Sequence, residues 1–104
     1  MKNGNSMPVA GVAWYQPEQW PLLKKNAADP DVLEDTYEEW LKMAETAVIN
    51  LEKQGVLIER VTINIEDLLR WCRARNRPLD GSARAEFTTR QLRRKHEEGG
   101  ERTA

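Results

Sequence analysis

Residues 56–65 read VLIERVTINI. Val61, Ile63 and Ile65 alternate with Thr62 and Asn64, which is the period of two expected of a half-buried strand. Val56 and Ile58 stand in the opposite phase, so a strand through the whole segment needs a bulge or loop near Glu59–Arg60. The segment decides the fold because just one other stretch reads as strand. That stretch is PVAGVAWY, 8–15, short, apolar and followed by a turn signal.

The residues between the two strands read as helix. In QPEQWPLLKKNAA, Pro17 suits a first helical position, while Pro21 lacks an amide hydrogen and disfavours helix at Trp20. A short or broken helix over 17–28 follows. The next stretch, DPDVLEDTYEEWLKMAETAVINLEKQG, sets Leu33, Tyr37, Trp40, Leu41, Ala44, Ala47, Val48 and Leu51 on one face at steps of three and four. Asp29 can cap it with Pro30 in the first turn, Asp31 with Glu34 offers a capping-box alternative, and Gly55 suits the stop. The spacing predicts a long amphipathic helix over 30–54. Ile49 falls on its polar side, and Val32 and Met43 beside the apolar face, where they could mark a partner contact.

After the second strand, Asn64 is a natural cap with Asp67 three residues on, which predicts a helix over 65–76. Pro78 and Gly81 break the chain, Asp80 or Ser82 caps, and a last helix covers 82–96. The order is β-α-α-β-α-α, an α+β domain in which two short strands pack against helices. Two intervening helices let the chain return, so an antiparallel pair is expected, with a parallel pair left open. A lone two-stranded sheet is marginal unless helices cover it or strand edges pair across a homodimer. The polar ends 1–7 and 97–104 are expected to be flexible, leaving one domain over 8–96.

The chain has 104 residues and a formal net charge of −1. The charge is uneven: residues 1–67 hold 6 basic and 12 acidic side chains, residues 68–104 hold 10 basic and 5 acidic. Halves of opposite sign can attract each other, a second copy or separate partners. The lone cysteine, Cys72, permits no internal disulfide, which points to a reducing compartment. No apolar run approaches the length of a membrane span, and the start lacks the apolar core of a signal peptide. A cytoplasmic placement without a membrane partner is expected.

Eight arginines crowd RWCRARNRPLDGSARAEFTTRQLRR, 70–94. On the third helix, Ile65, Leu68, Leu69 and Cys72 form the apolar face with Trp71 at its margin. Arg70, Arg73 and Arg77 cluster opposite, and Glu66 stands four residues before Arg70 in the favourable order for an ion pair. Arg75 points to the rim of the core, to stack on an aromatic ring or pair with a carboxylate. On the last helix, Phe87 with Ala83 faces one way and Leu92 with Ala85 another. Arg84 and Lys95 project on one side, Arg93 opposite, and Arg90 and Arg94 near the Phe87 face. Such a helix is peripheral, or buries Phe87 and Leu92 against different surfaces. Arg70, Arg73, Arg77, Arg84, Arg90, Arg93 and Arg94 are the candidate anion-binding set. Against nucleic acid stand the long NRPLDG connection, the missing support face and an overall pI near 5.9. A solvated or ion-paired surface is the favoured reading.

Other chemistry has thin support. Asp35, Glu38 and Glu39 could share a hard cation, but acids early in a helix also stabilise its positive end. His96 is the sole histidine and lies where the last helix gives way to a polar tail. Cys72 reads as a small buried thiol. No glycine-rich phosphate loop, nucleophile elbow or CxxC pair is present, and no cofactor is implied.

Trp14–Tyr15, Trp20, the Tyr37–Trp40 pair, Trp71–Cys72 and the Ala83–Phe87 segment together resemble a group of small uncharacterised bacterial proteins. These share a WY…W start, a YxxW helix, a W(C/S) helix and an ARAx(F/Y) segment after a turn. The likeness covers residues 10–93 and implies a bacterial cytosolic protein, but no activity, cofactor or site residue. The functional expectation is a non-catalytic interaction or accessory module whose partner is a protein or a second copy. The alternative is a module that binds nucleic acid or another polyanion through the basic C-terminal helices.

Overall fold

The computed structural model describes the backbone of residues 9–103 and the side chains of residues 9–97. The flexibility expected at 1–7 lies outside the described residues, as do the side chains beyond 97. Strand β1 (Val9–Trp14) leads through a 3₁₀ turn (Pro17–Gln19) into helix α1 (Trp20–Asn26). A second 3₁₀ turn (Pro30–Val32) precedes helix α2 (Tyr37–Lys53), followed by strand β2 (Leu57–Thr62), helix α3 (Ile65–Ala74) and helix α4 (Gly81–Thr103). The α+β class and the element order stand as expected.

The strands pair in parallel, in an unbroken register from Val9 opposite Leu57 to Trp14 opposite Thr62. This corrects the antiparallel expectation. Together α1 and α2 make a crossover, which a parallel pair requires and which carries the chain back to the end where it started. The register also removes the expected bulge at Glu59–Arg60. Both phases of β2 carry an apolar residue that meets a helix-covered face, half-buried Ile58 on one and buried Val61 on the other, as parallel strands commonly do. On one face Trp14 meets Trp40 of α2, centroid to centroid at 5.2 Å. On the other, a Cβ placed on Gly11 would come within 3.0 Å of Leu92 of α4. That missing side chain lets α4 lie close on the sheet.

Helix α2 starts seven residues later than expected. Thr36 caps it: its hydroxyl accepts from the Glu39 amide at 3.1 Å, and the Glu39 carboxylate accepts from the Thr36 amide at 3.2 Å. This reciprocal box satisfies two orphan amides, whereas Pro30–Val32 closes a single 3₁₀ turn with no side-chain cap. Asp29 is drawn away from capping by Gly81 and Arg84. Gly55, at φ +88°, ends the helix with a conformation that favours glycine.

Asn64 caps α3 by accepting from the Asp67 amide at 2.9 Å, as its spacing predicts. The helix ends at Ala74 rather than 76, where Asn76 adopts φ +52°. Asp80 caps α4 through the Ala83 amide at 2.9 Å. The backbone of α4 continues to Thr103, past the expected end at 96.

Two clusters of rings fill the interior. Trp14, Tyr15, Trp20, Tyr37 and Trp40 form the larger, with neighbouring centroids 5.2–6.3 Å apart. The Tyr37 hydroxyl donates to the Tyr15 carbonyl at 2.9 Å, tying α2 to the end of β1. Burial pushes the Tyr15 phenol up to about 12. In the smaller cluster, Trp71 of α3 meets Phe87 of α4 at 5.5 Å. Phe87 therefore docks on α3 while Leu92 docks on the sheet. The thin apolar seam of α4 serves two surfaces, one of the two outcomes its sequence allows.

Candidate anion-binding groove

Several of the seven candidate arginines are engaged within the fold. Arg84 grips Asp29 with both ends of its guanidinium, at 2.8 and 3.1 Å, while Asp29 also accepts from the Gly81 amide at 3.0 Å. The Arg84 hydrogen bonds hold the Asp29 carboxyl below the usual carboxylate range. Arg77 donates to Glu86 at 2.6 Å and Ser82 at 3.3 Å, and it lies 5.2 Å from the centre of the Trp71 ring. Arg75 stacks on the same ring at 4.7 Å, one of its expected fates. Arg70 pairs with Asp67, three residues before it, and not with Glu66. Asp67 occupies the adjacent turn and leaves Glu66 without an ion pair among the described residues.

Arg73, Arg90, Arg93 and Arg94 are exposed and take part in no ion pair among the described residues. Two of them, Arg90 and Arg94, line a hollow together with Arg70. That hollow, of about 310 Å³ between α3 and α4, is lined by Asp67, Arg70, Trp71, Phe87, Arg90, Gln91 and Arg94. Beside it, a smaller one of about 180 Å³ is lined by Arg90, Arg93, Arg94 and Glu97. The two share Arg90 and Arg94; Arg70 and Asp67 line the first, Arg93 and Glu97 the second. The indole N–H of Trp71 is buried and has no acceptor among the described residues.

The sequence grouped Arg70 with Arg73 and Arg77 on one face of the third helix. Arg70 lines a hollow with Arg90 and Arg94, while Arg77 turns to Glu86 and Ser82. The signal was latent in the spacing. Phe87, Arg90, Gln91 and Arg94 follow i, i+3, i+4, i+7 on α4, and Asp67, Arg70 and Trp71 follow i, i+3, i+4 on α3. What sequence alone could not supply was that these two stripes face each other. It also left out the Trp71–Phe87 floor.

The other candidates do not assemble. Asp35 lies outside α2, 3.8 Å from Lys24, and Glu39 is engaged in the capping box with Glu38 exposed beside it. The late start of α2 breaks the helical spacing between Asp35 and the other two. Among the described residues, no group of three or more metal-ligating side chains occurs. Cys72 is buried, its thiol pushed up by desolvation, and Sγ lies 3.9 Å from the Pro78 carbonyl. His96 belongs to a helical turn, and its Nε2 lies 2.8 Å from Glu59 of β2. Lys95 reaches the other Glu59 oxygen at 2.9 Å. Hydrogen bonds from Lys95 and His96 hold the Glu59 carboxyl below its ordinary value.

No family model, curated protein or solved structure matches the chain.

Proposed function

We propose that the protein is a non-catalytic recognition module that holds an anionic group of a partner in the groove between α3 and α4. The observation that supports this reading is the convergence of Arg70, Arg90 and Arg94 on a hollow floored by Trp71 and Phe87. Guanidiniums present paired donors that match carboxylate and phosphate oxygens, and aromatic walls lower the local dielectric and strengthen such contacts. The groove is short and edged by Asp67 and Glu97. It therefore suits a compact oxyanion on a protein or single nucleic-acid strand better than the continuous backbone of a duplex. The reading includes the cytoplasmic placement proposed from the lone cysteine. No helix among the described residues is long and apolar enough to cross a membrane.

Titration with inorganic phosphate and a phosphorylated peptide, followed by NMR, tests the proposal. Shifts should concentrate on the Arg70, Arg90 and Arg94 side chains and the Trp71 indole, and weaken as salt rises. Exchanging both Arg90 and Arg94 for Ala should abolish them, whereas Arg73→Ala should not. Equal loss in the Arg73 variant, or no shift at the groove, would refute the reading.

A further inference from the structure

The outward face of α2 is left uncovered. Its apolar face turns to the core with Trp40, Ala44 and Val48 buried. On the opposite side, Met43 is 46% and Ile49 52% exposed. A shallow hollow of about 480 Å³ there is lined by Glu39, Lys42, Met43, Thr46, Ala47 and Asn50. At roughly 100° per residue, Glu39, Lys42, Met43, Thr46, Ile49, Asn50 and Lys53 all fall within about 60° of Thr46.

This face is complementary to itself. When two such helices lie antiparallel about a two-fold axis at Thr46, residue i stands level with residue 92 − i of the second copy. Glu39 is then level with Lys53 of the second copy. Both lie within about 20° of the seam, so one ion pair forms at each end. Thr46 meets its own counterpart, a small residue that permits close approach. Lys42 can lay its methylene stem over Ile49 of the second copy, and Met43 lies beside Asn50. Neither Glu39 nor Lys53 has an ion-pair partner among the described residues. The capping box uses one Glu39 oxygen and leaves the other free.

We propose that this face is the interface of a homodimer, formed by two α2 helices packed antiparallel about Thr46. The occupant is a second copy because the charges and the apolar flanks match only under reversal. The contact is isologous and therefore closes at two chains. It spans about 21 Å of helix, at the small end of specific interfaces, so association depends on concentration. It lies across the sheet from α4 and does not rest on the anion-binding proposal.

Sedimentation from about 10 µM to about 1 mM is the test, a range suited to a contact of this size. The mass should rise from one chain toward two. Lys53→Glu, which replaces the ion pair at each end with two opposed carboxylates, should weaken association at least tenfold. Thr46→Glu, which sets two carboxylates at the axis, should do the same. Far-UV circular dichroism checks that these exposed substitutions leave the fold intact. Thr46→Cys should cross-link readily on mild oxidation, whereas Glu45→Cys, about 100° off the seam, should not. Cys72 is buried and does not compete. A single-chain mass at every concentration, a dimer indifferent to both charge substitutions, or equal cross-linking at 45 and 46 would overturn the proposal.

Discussion

Helices α2 and α4 flank the same two-stranded sheet from opposite sides, and different forces hold them there. Helix α2 presents a broad apolar face, and its Trp40 contacts four other rings. Helix α4 presents Phe87 and Leu92 to separate surfaces and adds polar pins: Arg84 to Asp29 near its start, Lys95 and His96 to Glu59 further on. Burial is untouched by charge screening and responds little to pH, while ion pairs respond to both. The acidic and basic halves of the chain meet at these pins. Part of the charge asymmetry in the sequence is thus internal complementarity.

The largest expected effect tests the burial side. Trp40→Ala should cost about 3–5 kcal/mol in chemical denaturation, since it empties the centre of the larger aromatic cluster. A loss under about 1 kcal/mol would mean that the cluster contributes little. Next is the pin at the start of α4. Asp29→Ala strands a mostly buried Arg84 guanidinium and should cost about 2 kcal/mol. If α4 is held as described, its amides should exchange faster in this variant while those of α2 change less.

The smallest expected effect is a response to acid. Glu59 and Asp29 both have folded pKa values below their unfolded ones. Their contribution is therefore complete above the unfolded carboxyl value of about 4 and is lost as pH falls through the lower folded value. Amide exchange should show the α4–β2 contact loosening before α2 as pH falls below about 4. Glu59→Gln should flatten that difference. Identical acid responses in the two helices would erase the distinction drawn between them.

Much of the fold could be read from local rules. The apolar face of α2, the Asn64 cap of α3 and the burial of Cys72 follow from spacing and residue type. The start of α2 was harder to place because three acids and Pro30 all offer entry signals, and the true cap, Thr36, prevails through a reciprocal bond to Glu39. Strand direction escaped local rules because it depends on where the crossover delivers the chain. The mixed phase of β2 accords with parallel pairing, in which both faces can carry apolar residues: Ile58 is half-buried on one phase and Val61 buried on the other, with Arg60 and Thr62 exposed. The groove was least legible. Arg70 lies 20 or more positions from Arg90, Arg93 and Arg94, on another helix, and the sequence offered Glu66 as a nearer partner for it.

The division of the aromatic rings between two clusters has an optical consequence. Trp14, Trp20 and Trp40 stand within 5.2–5.6 Å of one another along the chain of contacts, close enough for their transitions to couple. Their near-ultraviolet dichroism reports the packing of β1, α1 and α2. Trp71 stands apart, stacked by Arg75 and Arg77 at the floor of the groove. If the groove binds an oxyanion as proposed, the emission of Trp71 should change on binding, with those cations beside its ring. A Trp71→Phe variant would separate that signal from the overlapping emission of the other three indoles, so that core and groove could be followed apart.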